Sequence, residues 1–462
     1  MSSTSESAPT ASTARAGSVT APMSGQSRFR SLRAAVAGNI LEWFDWTLYA
    51  IFSTYIAAHF FDKSNPSSAL LSTLAVFAVG FLARPLGGLF FGKIADRHGR
   101  KTVLVATIST MALASLMIAL VPGYETIGVW ASVLLLIARL LQGFAHGGES
   151  GVSYTYVSEI APPQRRGLWS SSVFFAVTLG VMLATALGAV FTAVFGEDGT
   201  ADYGWRVAFV IGGLLGLFVL VLRRTAEETD NFHGEIAAGP DEAPLPASSN
   251  LKLGILVILL ACGHNCAYYI WATYASSFAI STHDMDPNGA FVASLLAQAV
   301  ALGALVFWGA TSDRIGRRPM VIAYGVVSLL VYYPLSLLIS DQPWTLFVAQ
   351  AVGMSIWAMG AGMYPALISE LFPTKSRATS VAFATSVSVA LFGGTTPYLL
   401  TWFTGNDIGW AFWLWVGVLS TLAIIGGLLV RETKGSDLGA VGWPFRRTSV
   451  RSNPTRKDSV SA

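Results

Sequence analysis

The chain has 462 residues, 53% of them hydrophobic and 12% charged, about half the charged share of roughly 25% found in soluble domains. With a mean hydropathy of +0.56, this excludes an ordinary soluble protein and makes the membrane-spanning helix the unit of description. The formal charge of +3 comes from 29 Lys and Arg residues in small groups between apolar runs, a topology signal rather than a nucleic-acid surface.

Residues 1–33 begin with a Ser-, Thr- and Ala-rich stretch and end on Arg28, Arg30 and Arg33, which predicts a disordered cytoplasmic tail leading into an uncleaved start-transfer helix. Twelve apolar spans follow, at about 34–58, 69–92, 102–121, 127–156, 168–194, 205–222, 252–279, 289–310, 319–339, 344–367, 379–403 and 410–430. At 1.5 Å per residue, about 20 residues cross a hydrocarbon core of roughly 30 Å. Two six-helix bundles are expected, at 34–222 and 252–430. A cytoplasmic linker at 223–251, containing Pro240, Pro244 and Pro246, joins them, and a basic cytoplasmic tail occupies 431–462.

Basic residues follow the even-numbered spans. They are Lys93, Arg97, Arg100 and Lys101; Arg165 and Arg166; Arg223 and Arg224; Arg314, Arg317 and Arg318; and Lys375 and Arg377. Odd-numbered spans are followed by almost none, Lys63 and Arg206 being the exceptions, so the positive-inside rule places both termini in the cytoplasm. The sequence also repeats. GKIADRHGRK at Gly92–Lys101 recurs as GATSDRIGRR at Gly309–Arg318, and SEIAPPQRR at Ser158–Arg166 as SELFPTKSR at Ser369–Arg377. GWRVAF from Gly204 is answered more weakly by GWAFW from Gly409. Three ordered matches at offsets of 217, 211 and 205 indicate a duplicated six-helix unit in parallel orientation. Cys262 and Cys266, four apart in an apolar run, read as core packing and are too few for a zinc site.

The twelve spans and the repeated loop motif resemble the major facilitator superfamily. GNILEWFDWTLY at Gly38–Tyr49, GFLARPLGGLFFGKIADRHGRK at Gly80–Lys101 and ARLLQGFAHGGESG at Ala138–Gly151 are similar to its metabolite:proton symporter branch. VPGYETIGVWA at Val121–Ala131 is similar to the alpha-ketoglutarate permeases within that branch. The resemblance implies an all-α polytopic protein with twelve transmembrane helices in two pseudo-symmetric bundles, in the bacterial cytoplasmic membrane and monomeric. It also implies uptake of alpha-ketoglutarate, citrate, shikimate, proline or betaine with protons.

Among the charged residues, Glu42, Asp45, Arg84, Arg139 and Glu149 fall well inside predicted spans, where an unpaired charge in lipid costs several kcal/mol. Glu42 and Asp45 are three apart on one helix face, so they are expected to hinder each other's ionisation and, with Glu149, are the candidates for proton coupling. On span 4, Arg139, Gln142, His146, Glu149 and Ser153 form one polar stripe, expected to face a cavity. Arg139 is the first candidate for a substrate anion and Arg84 the second, because a guanidinium offers a carboxylate a fixed fork of donors. Gln142 and His146 extend the candidate substrate site. His146 departs from the resembled family, which has a small apolar residue there. Tyr268 and Trp271, with His264, form one aromatic face on span 7. Gly143, Gly147 and Gly151 recur every four residues and predict close helix packing.

The resemblance further implies that the repeated loop motif is a conformational latch: Gly92, Asp96, Arg97, Gly99 and Arg100 in one half, and Asp313, Arg314, Gly316 and Arg317 in the other. It implies that Asp96 engages a helix end of the opposite half, with Glu159 and Arg166 nearby, when the cytoplasmic side is closed. The expected function is therefore a secondary active transporter, not an enzyme. It imports a small organic anion, a dicarboxylate or alpha-ketoglutarate-like acid, by proton symport, with the proton as coupling ion, no cofactor or metal, and membrane lipid as its surroundings. A proline or betaine symporter is the alternative. An antiport exporter is disfavoured by the absence of proline from Thr178–Val190, and a non-transporting sensor by the polar stripe on span 4.

Overall fold

The computed structural model describes residues 24–62, 66–224 and 247–438. Residues 1–23 of the expected N-terminal tail, most of the expected linker, and residues 439–462 of the basic C-terminal tail lie outside the described residues. The described chain is helical almost throughout, with no strand among the described residues.

Helix α1 (Gly25–Ile51) starts nine residues before the expected boundary, because Ser24 caps it, its hydroxyl accepting from the Ser27 N–H at 3.2 Å. Arg28, Arg30 and Arg33 thus belong to helix rather than tail. After a break at Phe52, α2 (Ser53–Phe60) completes the first span. The rest of the first half consists of α3 (Pro66–His98), α4 (Arg100–Leu120), α5 (Tyr124–Ile127), α6 (Val129–Ile160), α7 (Arg166–Gly199), a π turn (Thr200–Gly204) and α8 (Trp205–Arg224). The second half begins with α9 (Ala247–Tyr268), a π turn (Tyr269–Tyr274), α10 (Ala275–His283) and α11 (Pro287–Ile315). It continues with α12 (Arg317–Ser336), α13 (Pro343–Ala361), α14 (Tyr364–Ser369), α15 (Thr374–Ser388), a π turn (Val389–Gly393), α16 (Thr396–Gly405) and α17 (Gly409–Leu429).

Eleven helical segments among the described residues are long and apolar enough to cross a membrane. The segment α1–α2 is the twelfth, its apolarity lowered by Asn39, Glu42 and Asp45. Within the first half α3 packs on α6, α1 on α7 and α8, and α4 on α6 and α8; within the second, α11 packs on α13, α12 on α17, and α9 on α15 and α17. The halves meet where α3 and α6 pack on α15, α7 on α11, and α14 against α6 and α7. One buried core lies inside the first half, and a larger one runs across the junction from Trp46, Phe81 and Tyr154 to Tyr268, Trp357 and Tyr364.

Glycine makes these approaches possible. A Cβ on Gly143 or Gly147 of α6 would lie 2.1 Å from the Gly80 carbonyl oxygen or 2.0 Å from that of Arg84, both on α3. A Cβ on Gly151 would lie 2.1 Å from Ala382 Cα, in the opposite half. The duplication is visible in the backbone as well: Gly99 and Gly316 open α4 and α12 with φ of 94° and 113°, which only glycine adopts without strain.

Candidate functional site

The polar residues of α1 and α6 are paired in antiparallel register. As α1 advances from Asn39 through Glu42 to Asp45, their partners on α6 step back from Ser153 through His146 to Gln142. Asn39 Nδ2 donates to Ser153 Oγ at 2.9 Å, and Gln142 Nε2 donates to Asp45 Oδ2 at 2.5 Å. His146 Nδ1 lies 2.7 Å from Glu42 Oε1, but the angle is not that of a hydrogen bond, so both atoms lack an aligned partner. The stripe on α6 is therefore a buried seam against α1 rather than a cavity wall. A stripe fixes a direction on a helix, and α1 carries polar residues at the matching spacing.

Glu42 and Asp45 do not share a neighbourhood. Three residues advance a helix by about 300°, so their directions differ by about 60°, and the seam separates them. Asp45 accepts from Ser115 of α4 and from Gln142, and the carboxylate that faces Glu42 is Glu149. Glu149 is itself engaged: Arg223 of α8 pairs with Oε1, and Thr107 Oγ1 donates to Oε2 at 2.6 Å. Arg223, counted above as a loop residue, is 1% exposed, and its Nη1 donates to the Leu104 carbonyl at 2.6 Å. Its guanidinium occupies the space a side chain at Gly38 would fill.

The two candidate arginines lie in different places. Arg139 packs over the rings of Trp46 (4.1 Å) and Tyr49 (4.2 Å), and its Nη1 donates to Gln142 Oε1 at 2.8 Å. These neighbours all belong to the first half, so Arg139 supports Asp45 from inside that bundle and does not reach the junction. Arg84 lies over Trp46 and Phe81, each at 4.3 Å, and 6.0 Å from Trp43, and it faces Tyr269 of the second half. It is 3% exposed, and its Nε and Nη2 have no hydrogen-bond partner.

Around Arg84 the junction is aromatic. Trp43 meets Tyr268 at 5.7 Å and His146 at 5.2 Å, and Tyr268 meets Trp357 at 5.2 Å. Phe174 meets His264 at 6.1 Å and Trp357 at 5.6 Å, and Tyr154 meets Tyr364 at 6.3 Å. His264 Nε2, Tyr269 Oη, Trp357 Nε1 and Tyr364 Oη are buried here without hydrogen bonds. Trp271 is elsewhere, against Tyr332 (5.7 Å) and Trp413 (6.3 Å) within the second half. The π turn at Tyr269–Tyr274 widens the helical turn, so the seven-residue spacing from His264 no longer marks one face.

At one end of the molecule the loop motifs join the halves twice. Asp96 accepts from the backbone of Ala378 (3.0 Å) and Thr379 (2.9 Å) and from Thr379 Oγ1 (2.6 Å), in the first turns of α15. Asp313 accepts from the backbone of Gly167 and Leu168, both at 2.8 Å, at the start of α7. Beside each lies an Arg–Glu–Arg triad. Glu159 accepts from Arg100 of its own half (3.3 Å) and Arg377 of the other (2.7 Å). Glu370 lies 3.6 Å from Arg317 of its own half and accepts from Arg166 of the other at 2.8 Å. Gly92 stands against Thr379, a Cβ there meeting Thr379 Cα at 2.5 Å. Arg97 and Arg314 are exposed and make no side-chain ion pair among the described residues; one residue past the aspartate, each is turned about 100° away from it.

Sequence reasoning missed Arg223, Tyr154, Tyr269, Trp357 and Tyr364, and the pairing roles of Glu370 and Arg377. Glu370 and Arg377 repeat Glu159 and Arg166 at the offset of 211, so the duplication already pointed to them. The junction aromatics carry no such signal.

The family model for the Major Facilitator Superfamily matches residues 35–395. The chain is 33% identical over 415 residues to the alpha-ketoglutarate permease of Escherichia coli, covering 89% of this chain and 96% of that protein. It is 34% identical over 435 residues to the citrate-proton symporter of Klebsiella pneumoniae, covering 91% and 96%. A putative proline/betaine transporter of Staphylococcus aureus is 33% identical over 416 residues, covering 87% of each. Among solved structures, a double-tryptophan mutant of XylE superimposes with a TM-score of 0.73 at 18% identity, covering 90% of this chain and 98% of that one. The partially occluded inward-open xylose transporter XylE from E. coli gives 0.68 at 20%, covering 89% and 100%.

Proposed function

The chain belongs to the Major Facilitator Superfamily, a multi-pass transporter and not an enzyme, and on that premise we propose that it imports a small organic acid by proton symport through alternating access. The observation that carries this reading is Arg84: a buried guanidinium at the junction of the halves, with two nitrogens unpartnered. A carboxylate arriving from outside supplies the acceptors that the protein withholds, and a guanidinium favours it geometrically as well as by charge. Nearby, Trp357 Nε1, Tyr364 Oη and Tyr269 Oη offer further hydrogen bonds, which suits an acid with a second polar end. Proton coupling belongs to the buried carboxylates of the first half, Glu42, Asp45 and Glu149, of which Glu42 is the one that acts on Arg84. Asp96, Asp313 and the two triads act as the latch that holds one side closed, and the positive-inside pattern makes that side cytoplasmic, with both termini.

The aromatic junction of Trp43, Tyr268 and Trp357 supports a second reading, a betaine-like zwitterion whose ammonium rests on the rings while its carboxylate meets Arg84. The deciding experiment is uptake into proteoliposomes under an inward proton gradient, comparing labelled alpha-ketoglutarate, citrate, shikimate and betaine with and without an uncoupler. Uncoupler-sensitive uptake of an acid is the expected result. Uptake of betaine alone selects the second reading, and no uptake of any of the four refutes both.

A further inference from the structure

Resting on the symport reading, we propose that the coupling proton is held between His146 Nδ1 and Glu42 Oε1, while Glu149 stays the ion-pair partner of Arg223 throughout the cycle. The three buried carboxylates of the first half differ in what they already hold. Asp45 accepts two hydrogen bonds, from Ser115 and Gln142, and Glu149 is paired with Arg223 and bonded to Thr107. Neither oxygen of Glu42 has an aligned hydrogen-bond donor, though an imidazole nitrogen lies 2.7 Å away. A proton fits where two buried, unsatisfied groups stand 2.7 Å apart, because a turn of the imidazole toward Glu42 lets one added hydrogen serve both. The ring is positioned for this, with Trp43 and Trp46 each 5.2 Å from it.

The charged and titratable groups around the pair come from every neighbouring element: Arg84 on α3; Arg139, Glu149 and Tyr154 on α6; Arg223 on α8; and, beyond Trp43, Tyr268 and Tyr269 of the second half. Without the proton, Glu42 and neutral His146 carry one negative charge, and this charge competes with any substrate anion for Arg84. One proton from the outer solution brings the pair to zero and leaves Arg84 to the substrate. Its release inside restores the charge and expels the anion. No other reactant is consumed, and binding of proton and anion favour each other reciprocally.

The test uses the purified full-length chain, with alpha-ketoglutarate as probe and citrate in parallel. Proton uptake on binding is read with a pH indicator in weak buffer, and affinity is titrated against pH. Wild type is expected to take up about one proton per substrate bound, and Glu42→Gln none. In vesicles Glu42→Gln keeps substrate exchange and loses accumulation. His146→Asn keeps the proton on Glu42 but moves the pH midpoint of affinity by about one unit, a readout that a merely packing histidine would leave in place. Proton uptake surviving in Glu42→Gln, or an unmoved midpoint in His146→Asn, overturns the assignment; should Glu42→Gln not fold, the His146→Asn midpoint decides alone. Uncoupler-sensitive accumulation that survives in Glu42→Gln removes this inference and leaves symport standing, whereas wild-type uptake indifferent to the uncoupler removes symport and this inference with it.

Discussion

Arg84 and Arg139 present the same guanidinium to the same kind of aromatic surroundings, and what separates their roles is the neighbour on the far side. Arg139 is backed by Gln142 and Asp45 inside one bundle, whereas Arg84 faces the other bundle with two nitrogens unused. Replacing Arg84 by Gln is therefore expected to weaken acid binding by roughly 2 kcal/mol or more, about thirtyfold, with the protein still inserted and folded. Isothermal titration with alpha-ketoglutarate and citrate checks it, and wild-type affinity would exclude Arg84 from the site. Arg139→Gln acts through Asp45 and is expected to lower thermal stability in detergent more than affinity. Gly38 shows how far a residue's meaning depends on its neighbour. It is unremarkable in the sequence, yet a Cβ there would stand 1.6 Å from Arg223 Nη2, a side-chain tip that Glu149 and the Leu104 carbonyl hold in place, so Gly38→Ala should destabilise by about 1–3 kcal/mol by displacing it, seen as a lower melting temperature by tryptophan fluorescence.

The same contrast between space and no space applies to whole helices. Along α6 the four-residue glycine spacing was legible because small residues at one helical face permit close approach, and α3 occupies that face. Gly147→Ala would press on the Arg84 carbonyl, and since that backbone cannot yield as a side-chain tip can, about 1–3 kcal/mol of stability and part of the substrate affinity should be lost together. Gly303 on α11 has nothing within 4 Å of a Cβ, so Gly303→Ala should stabilise by about 0.4–1 kcal/mol. Parallel melting curves distinguish the two, and equal effects would contradict the packing argument. Two features of the elements were not legible. The turn of π helix after Tyr268 moved Trp271 to a different face from the one its spacing implied. Arg223 reads as the first charge after an apolar run, but α8 runs on through it to Arg224, and Glu149 of α6 and the Leu104 carbonyl of α4 hold it inside the bundle.

For the whole molecule, the two aspartates bind helix starts in opposite halves, and the two triads repeat one another across the pseudo-symmetry axis. A carboxylate accepting two backbone N–H groups at a helix N-terminus is favoured by charge and by the helix dipole. Asp96→Asn or Asp313→Asn should thus loosen the closed side by about 1.5–3 kcal/mol while leaving the substrate site intact. Spin labels at the Asp96 end of α3 and the N-terminal end of α15 are expected to show a larger population at long distance, with affinity for alpha-ketoglutarate or citrate little changed. An unaltered distance distribution would mean that these contacts do not set the balance between the two states. The pairing itself was foreshadowed by the repeat, because duplication preserves spacing, and Glu370 and Arg377 inherit the geometry of Glu159 and Arg166.

Read alone, the sequence determined that the chain is a twelve-helix membrane transporter made of two related halves. Hydrocarbon thickness dictates how long an apolar helix must be, loop charge follows topology, and a duplicated motif keeps its register. Only the tertiary structure decided which buried charges serve the junction and which serve the interior of one bundle. A helical stripe specifies the direction in which side chains point and says nothing of what stands opposite: α1 stood opposite the stripe of α6, and the second half stood opposite Arg84.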